Sequence, residues 1–505
     1  MPAARTQRVD RCLDRLPARA RGREPAARAR AGGQIVTATQ QLSTDAPPAA
    51  GGLCSRAAER VRQLLTERIT GRVSTVRGLT VSAEGLAVPI GARCVVRTRH
   101  GERIEAEVVG LRDDESLLSV FEETTGISPG DEVACLSGQP LVPVGFDLLG
   151  RVIDSQGAPI DGKDTPWLNE RYPLSPDAPA ALERKPIDAP LGLGVRALDA
   201  LLTAGTGQRL GIFAGTGVGK SVLMGMICRH TQADVNVIAL VGERGREVRD
   251  FIDNQLGPEG LARSVVVVCT SDEAPALRVR SCMHATAIAE YFRDCGLNVL
   301  LMMDSLTRVA MAQRQIGLAA GEPPTAKGYP PSVYSMLPRL IERAGRTQRG
   351  SITAIYTVLV EGDDIDEPLA DLVRGLLDGH VWLSRDLANR GHYPAIDVLN
   401  SISRVADDVI DEQHREAALA IRQTIAVWND IEDLVNIGAY VRGANASYDL
   451  AVAARERISA FLTQDRSERS SYDESVLKLN ELSGFIQETR DKLAAQAGLD
   501  TNGAG

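Results

Sequence analysis

The chain has 505 residues, 44% apolar and 24% charged, an ordinary globular composition with room for two or three domains and a large buried core. A net charge of −9 excludes nucleic-acid binding through overall basicity, and no apolar run approaches the ~20 residues of a membrane helix. The eight cysteines are scattered without C-x-x-C or metal-ligand spacing, so they read as buried or free thiols of a cytosolic protein.

Residues 1–33 carry nine arginines against Asp10, Asp14 and Glu24, and no secretory apolar stretch follows. Residues 34–52 are polar and Ala/Pro-rich, so 1–52 reads as a disordered tail. Residues 1–35 are expected to be dispensable or to precede the true start, with Val36 the candidate alternative start. Over 53–70, Ala57, Ala58, Val61, Leu64, Leu65 and Ile69 recur at helical spacing, with Arg56, Glu59, Arg60, Arg62 and Glu67 mainly opposite. This predicts an amphipathic N-terminal helix.

From 71 to 145 the pattern changes to short β-like runs broken by Gly and Asp (RVSTVRG, GARCVVRT, RIEAEVVGL, SLLSVFE, DEVACL), the spacing of a small barrel. Residues 146–190, with LLGRVIDSQGAPIDG and a Pro-rich stretch to Pro190, read as a linker. Between 191 and 406 near-continuous apolar strands (GIFAG, VNVIALVG, SVVVVCT, NVLLMMDS, SITAIYTVLV) alternate with helical patterns, which predicts an α/β domain on a buried parallel sheet. Residues 407–495 turn helical, and 496–505 form a polar tail.

The stretch 211–221, GIFAGTGVGKS, carries the chemistry. Gly215, Gly217 and Gly219 let the backbone close around an anion. Lys220 supplies a point charge for the β- and γ-phosphates, and Ser221 a hydroxyl for Mg²⁺. The apolar run Val222–Cys228 makes the loop end at a helix N-terminus, where phosphate is favoured. Ala214 departs from the strict pattern, which begins with Gly; Thr216 and Val218 complete the loop.

Four features belong with this loop. NVLLMMD runs an apolar strand into Asp304, placed to hold a Mg²⁺ shell. VNVIALVG brings Glu243 just past a strand end, where a carboxylate can polarise an attacking water. Spacing alone leaves this equal to a surface salt bridge among Arg244, Arg246, Glu247 and Arg249. LNSISRV puts Arg404 in a loop after the last strands, and GHYPAID puts Tyr393 where its ring can face adenine.

AGTGVGKS, ALVGERGREVRDFI, LLMMDSLTRVAMAQRQIGLAAGEPPTAKGYPPSV and GHYPAIDVLNSISR resemble the ATPases of type III protein export, over roughly Leu53 to Ser483. That family comprises the flagellar export ATPase and its injectisome counterpart and is related to the rotary ATP synthases. The resemblance implies a RecA-like P-loop core with an N-terminal β-barrel and a C-terminal helical domain. It also accounts for Ala214, since the family's loop begins with Ala. ATP and Mg²⁺ are the implied ligands. Lys220 would bind phosphate, Ser221 and Asp304 would serve the metal, Glu243 would be the catalytic glutamate and Arg244 a phosphate-side arginine. Arg404 matches the arginine finger that reaches a neighbouring subunit, Tyr393 the adenine-stacking tyrosine, and Tyr472 is the candidate for the other adenine wall. A cytoplasmic homohexamer at the inner face of the membrane is implied, with a regulator on the 53–70 helix. Export gate and stalk proteins, substrates and chaperones would be the other partners.

Three other readings compete. A rotary catalytic subunit shares the nucleotide residues, but it carries an acidic loop where this chain has RGANASYD at 442–449. A hexameric RNA translocase grips bases on aromatic side chains, and Phe121 is the one aromatic residue before Phe146; no nucleic acid is expected. A docking platform with vestigial activity conflicts with the full set of catalytic positions. The flagellar branch is favoured over the injectisome branch.

Overall fold

The computed structural model describes residues 69–138, 140–360 and 367–502. The 1–52 tail and residues 53–68 of the expected helix lie outside the described residues, and Thr70 already belongs to the first strand.

Six strands, β1 (Thr70–Arg77), β2 (Thr80–Glu84), β3 (Arg93–Arg97), β4 (Arg103–Arg112), β5 (Glu115–Val120) and β6 (Glu132–Ser137), close a barrel in the order β1-β2-β5-β4-β3-β6. Their alternation sets the register. On β4, Ile104, Ala106 and Val108 point inward while Arg103, Glu105 and Glu107 stay outside. Val81, Cys94, Val96, Leu118, Val120 and Val133 fill the interior. The barrel residues form one compact unit, ending at Pro140.

The second unit begins with β7 (Leu141–Val144), which pairs antiparallel with β9 (Glu170–Pro173). Between them β8 (Arg151–Asp154) corrects the reading of 146–190 as a linker: it is the edge strand of the large sheet, parallel to β12 (Ser264–Thr270). Four residues among turn formers are too short to display a period. The strand is fixed instead by Asp161, which accepts from Arg151 Nε at 2.7 Å and from the Val152 amide at 3.2 Å.

The remaining strands of this sheet are β10 (Arg209–Ala214), β11 (Val235–Glu243), β13 (Asn298–Asp304), β14 (Gly345–Arg346), β15 (Ser351–Leu359), β16 (Gly379–Leu383) and β17 (Ile396–Ser403). The order is β17-β16-β10-β15-β13-β11-β12-β8, with the short β14 paired to β15. All pairings are parallel except those of β17 and β14. Every residue of β11 is buried, as expected of a strand covered on both faces. Parallel order gathers the ends of β10, β11, β13 and β15 along one edge, where ligands bind in open α/β sheets.

Among the helices that accompany the sheet are α1 (Arg196–Leu201), α2 (Lys220–His230), α3 (Pro275–Asp294) and α4 (Leu306–Ala319). The C-terminal region is helical: α5 (Glu412–Asn436), α6 (Ala446–Leu462) and α7 (Tyr472–Asn502). Ile421, Leu450, Ala454, Ile458, Leu479 and Ile486 join the same hydrophobic core as the sheet. The run KLAAQA carries α7 on to Asn502, past the expected end at 495, because a lone Gly498 costs only about 1 kcal/mol in a helix. At the α5–α6 turn the one acid of RGANASYD is consumed internally: Asp449 accepts from Tyr440 Oη and, at 2.9 Å, from the Gly443 amide. Among the described residues no helix is long and apolar enough to cross a membrane.

Candidate active site: a phosphate loop beside two buried carboxylates

Ala214 closes β10 and Lys220 opens α2. The five residues between form the loop, with Val218 buried as its anchor and Thr216 and Gly217 exposed. Gly217 and Gly219 take φ of 78° and 92°, conformations open to glycine at no steric cost. The Thr216 carbonyl is turned outward and accepts from Arg385 Nη1 at 3.2 Å.

Because β15 lies between β10 and β13, the loop and Asp304 sit two strands apart, and the Lys220 side chain spans the gap. Its Nζ donates to Asp304 Oδ1 and lies 3.7 Å from Glu243 Oε1. Thr357 Oγ1, on β15, donates to the same Asp304 oxygen at 2.6 Å. Arg308, in the first turn of α4, donates from Nε to Glu243 Oε1 at 3.3 Å. Its aliphatic stem lies over Gly242, where a Cβ would come within 2.7 Å of Arg308 Cδ.

Asp304 and Glu243 are 4% and 8% exposed, so both charges depend on these partners. Burial, reinforced by the Asp304 charge, pushes the Glu243 carboxyl above the usual carboxylate range, while Lys220 and Arg308 oppose the shift. A carboxylate raised toward neutrality can take up and release a proton at working pH.

Arg244 follows Glu243 and is exposed. Its carbonyl accepts from the Glu247 and Val248 amides, so it starts the helix Gly245–Asp250. Tyr393 is brought to the loop: a Cβ at Gly219 would touch its ring at 3.5 Å, and 44% of the residue faces solvent. Tyr472 is not brought there, which corrects the second-wall expectation. It packs beside Gly192 with its hydroxyl 3.5 Å from His414 Nδ1. That position lies near His230 and Gln232, at the far end of α2, about 16 Å from the loop at 1.5 Å per residue. The Thr463–Gln464 turn reaches Tyr393 instead, through the Gln464 amide to the Tyr393 carbonyl at 2.9 Å.

Arg404 lies at the opposite edge of the sheet. Ala214 pairs with Leu383, whereas the Arg404 amide donates to the Asp378 carbonyl, five residues earlier on the β16 side. At about 3.3 Å per residue this separates Arg404 from its own loop by about 16 Å. Its side chain is exposed.

Sequence reasoning missed Arg308, Thr357 and Arg385. Each left a faint signal: a cation one turn into the helix after Asp304, a hydroxyl near the end of a largely apolar strand, and an arginine six residues before GHYPAID.

A phosphate loop at the edge of a parallel sheet, with a strand-end acid and a buried glutamate at one lysine, defines a RecA-like P-loop nucleotide hydrolase. The ATP synthase alpha/beta family nucleotide-binding domain matches residues 194–403, and that family's beta-barrel domain matches 73–136. The T3SS EscN ATPase C-terminal domain matches 410–481. The flagellum-specific ATP synthase of Bacillus subtilis (strain 168) is 51% identical over 416 residues, covering 82% of this chain and 95% of that protein. The type 3 secretion system ATPase of Xanthomonas euvesicatoria is 51% identical over 415 residues, covering 82% and 94%. The solved structure of the assembled ATPase EscN of enteropathogenic E. coli superposes with a TM-score of 0.77 at 44% identity, covering 82% of this chain and 100% of that one. EscN in complex with its central stalk EscO gives a TM-score of 0.76. The chain belongs to the ATP synthase alpha/beta family and, within it, to the ATPases of flagellar and type III secretion systems. It is an ATP hydrolase.

Proposed function

We propose that this ATPase powers type III protein export, in the flagellar branch, moving flagellar components during assembly. The observation that carries it is the helical domain. Its match to the EscN type, rather than a rotor-contacting acidic loop, accompanies a phosphate-loop lysine set against Glu243 and Asp304. Relatives named flagellum-specific ATP synthase and type 3 secretion system ATPase, alike at 51% identity, support type III export, and the flagellar branch is the reading put to the test below.

ATP phosphates are held by the 214–221 loop and Lys220, with the adenine on Tyr393. Glu243 orients the attacking water and accepts its proton, and Arg308 keeps that carboxylate in place. Charge growing on the phosphoryl oxygens is met by Lys220, by Arg244 and by Arg404 of the neighbouring subunit. The donors present fit Mg²⁺: Ser221 Oγ and Asp304 are hard oxygens, and no cluster of three acidic, His or Cys ligands occurs among the described residues. Such a site suits a cation that keeps its waters and shares phosphate oxygens. When bound, Mg²⁺ would neutralise the β- and γ-oxygens.

Each site lacks an arginine that lies about 16 Å away in its own chain, so the active form needs a neighbouring copy, and the ring is taken as the homohexamer that the family implies. EscN is described as assembled and in complex with a central stalk; a stalk protein and export gate are the partners proposed here, with substrates and chaperones. The regulator is assigned to the segment 53–70 and the ring to the cytoplasmic face of the membrane. The test is a chromosomal Lys220→Ala replacement. Loss of swimming and of secreted flagellar subunits is expected, with normal motility refuting the branch.

A further inference from the structure

We infer that Thr357 is a positioning residue for the metal-shell acid: its hydroxyl would hold the Asp304 carboxylate in place for Mg²⁺ when Lys220 turns to phosphate. The inference rests on the reading of Asp304 as the Mg²⁺-shell acid.

Asp304 Oδ1 receives two donors, Lys220 Nζ and Thr357 Oγ1. The lysine is shared, since Nζ also lies 3.7 Å from Glu243 Oε1, and phosphate will compete for it. The threonine is not shared in this way. Its other acceptor, the Met303 carbonyl, is 3.4 Å away against 2.6 Å for the carboxylate, so the single hydroxyl proton belongs to Asp304.

The topology makes this contact possible. Thr357 stands on β15, paired with Ile212 of the strand that leads into the loop, and β15 also pairs with β13, which ends in Asp304. It is fully buried, between Tyr356 and Val358, which are buried as well. A buried hydroxyl there needs a partner, and a buried carboxylate needs a donor that persists through the cycle. One bond meets both demands.

The test uses full-length Thr357→Val, which keeps shape and removes the hydroxyl, and Thr357→Ser, which keeps the hydroxyl. Binding of a fluorescent ADP analogue is titrated with Mg²⁺ and in EDTA. Thr357→Val should need roughly tenfold more Mg²⁺ for half-maximal tightening, the order expected for one hydrogen bond to a charged group. Its affinity in EDTA should equal that of the unmodified protein, and Thr357→Ser should restore the Mg²⁺ response. Thr357→Ala serves where the valine variant does not fold. An unchanged Mg²⁺ midpoint, an equal loss in EDTA, or a serine variant as impaired as valine overturns the inference. Asp304→Asn is run beside them. If it leaves the Mg²⁺ response intact, the metal assignment of Asp304 fails and takes the inference with it. If it abolishes the response while Thr357→Val does not alter it, only the role of Thr357 fails.

Discussion

Replacing Arg404 with alanine separates two accounts that differ by orders of magnitude. In its own subunit Arg404 sits about 16 Å from the phosphate loop, measured along five residues of strand. At that separation two unit charges in water interact by about 0.3 kcal/mol, less than a twofold effect on rate. An arginine reaching from the neighbouring subunit contributes on the order of 10³–10⁵, or about 4–7 kcal/mol. Arg404→Ala should therefore lose at least a thousandfold in turnover while binding nucleotide normally. The decisive assay mixes it with Lys220→Ala, after subunit exchange has been demonstrated by labelled protein. In a closed head-to-tail ring, about one quarter of interfaces in an equal mixture pair an intact loop with an intact finger. Activity should rise and fall with mixing ratio around that maximum. Exchange without recovery at any ratio would refute action across the interface, and a loss of only twofold in Arg404→Ala would refute any finger role.

Glu243→Gln should bind Mg·ATP and lose turnover, since the amide keeps shape without basicity; single-turnover hydrolysis checks this. Because its carboxyl is held above the usual range, its ionised form is lost as pH falls through that raised value. The fall of kcat/KM on acidification should therefore begin at higher pH than an ordinary glutamate would give. Tyr393→Ala should raise KM for ATP roughly 5- to 100-fold, the loss of one stacked base, whereas Tyr393→Phe should leave KM near normal in a steady-state assay. Arg343 and Glu290, both with side chains 3% exposed, form a bidentate pair, and Arg343 also holds the Leu174 carbonyl at 2.9 Å. Arg343→Met should cost about 3–5 kcal/mol by urea denaturation, from the unpaired buried carboxylate, with much of the loss recovered in Arg343→Met/Glu290→Leu.

Local signals carried the phosphate loop, the strand ending at Asp304, the strand leading to Glu243 and the division into barrel, α/β core and helices. Each depends on residues adjacent in the chain: glycines that permit positive φ, apolar runs of strand length, and a helical period after 407. Where contacts span long separations, only the folded chain decides. What sets Glu243 apart from a surface ion pair is burial beside Asp304, which lies about 60 positions on in the sequence but one strand away in the sheet. Thr357 and Arg308 became visible through that same parallel pairing. RVID, too short to show a period, was claimed by the free edge of β12 and by Asp161. Tyr472 stood on the resemblance alone, yet the turn after α6 sends the Gln464 amide to Tyr393 and leaves Tyr472 against Gly192. The sequence thus determined which groups could handle phosphate. The order of strands, with β15 set between β10 and β13, determined which of them meet, because parallel pairing fixes side-chain neighbours across the sheet that no local period records.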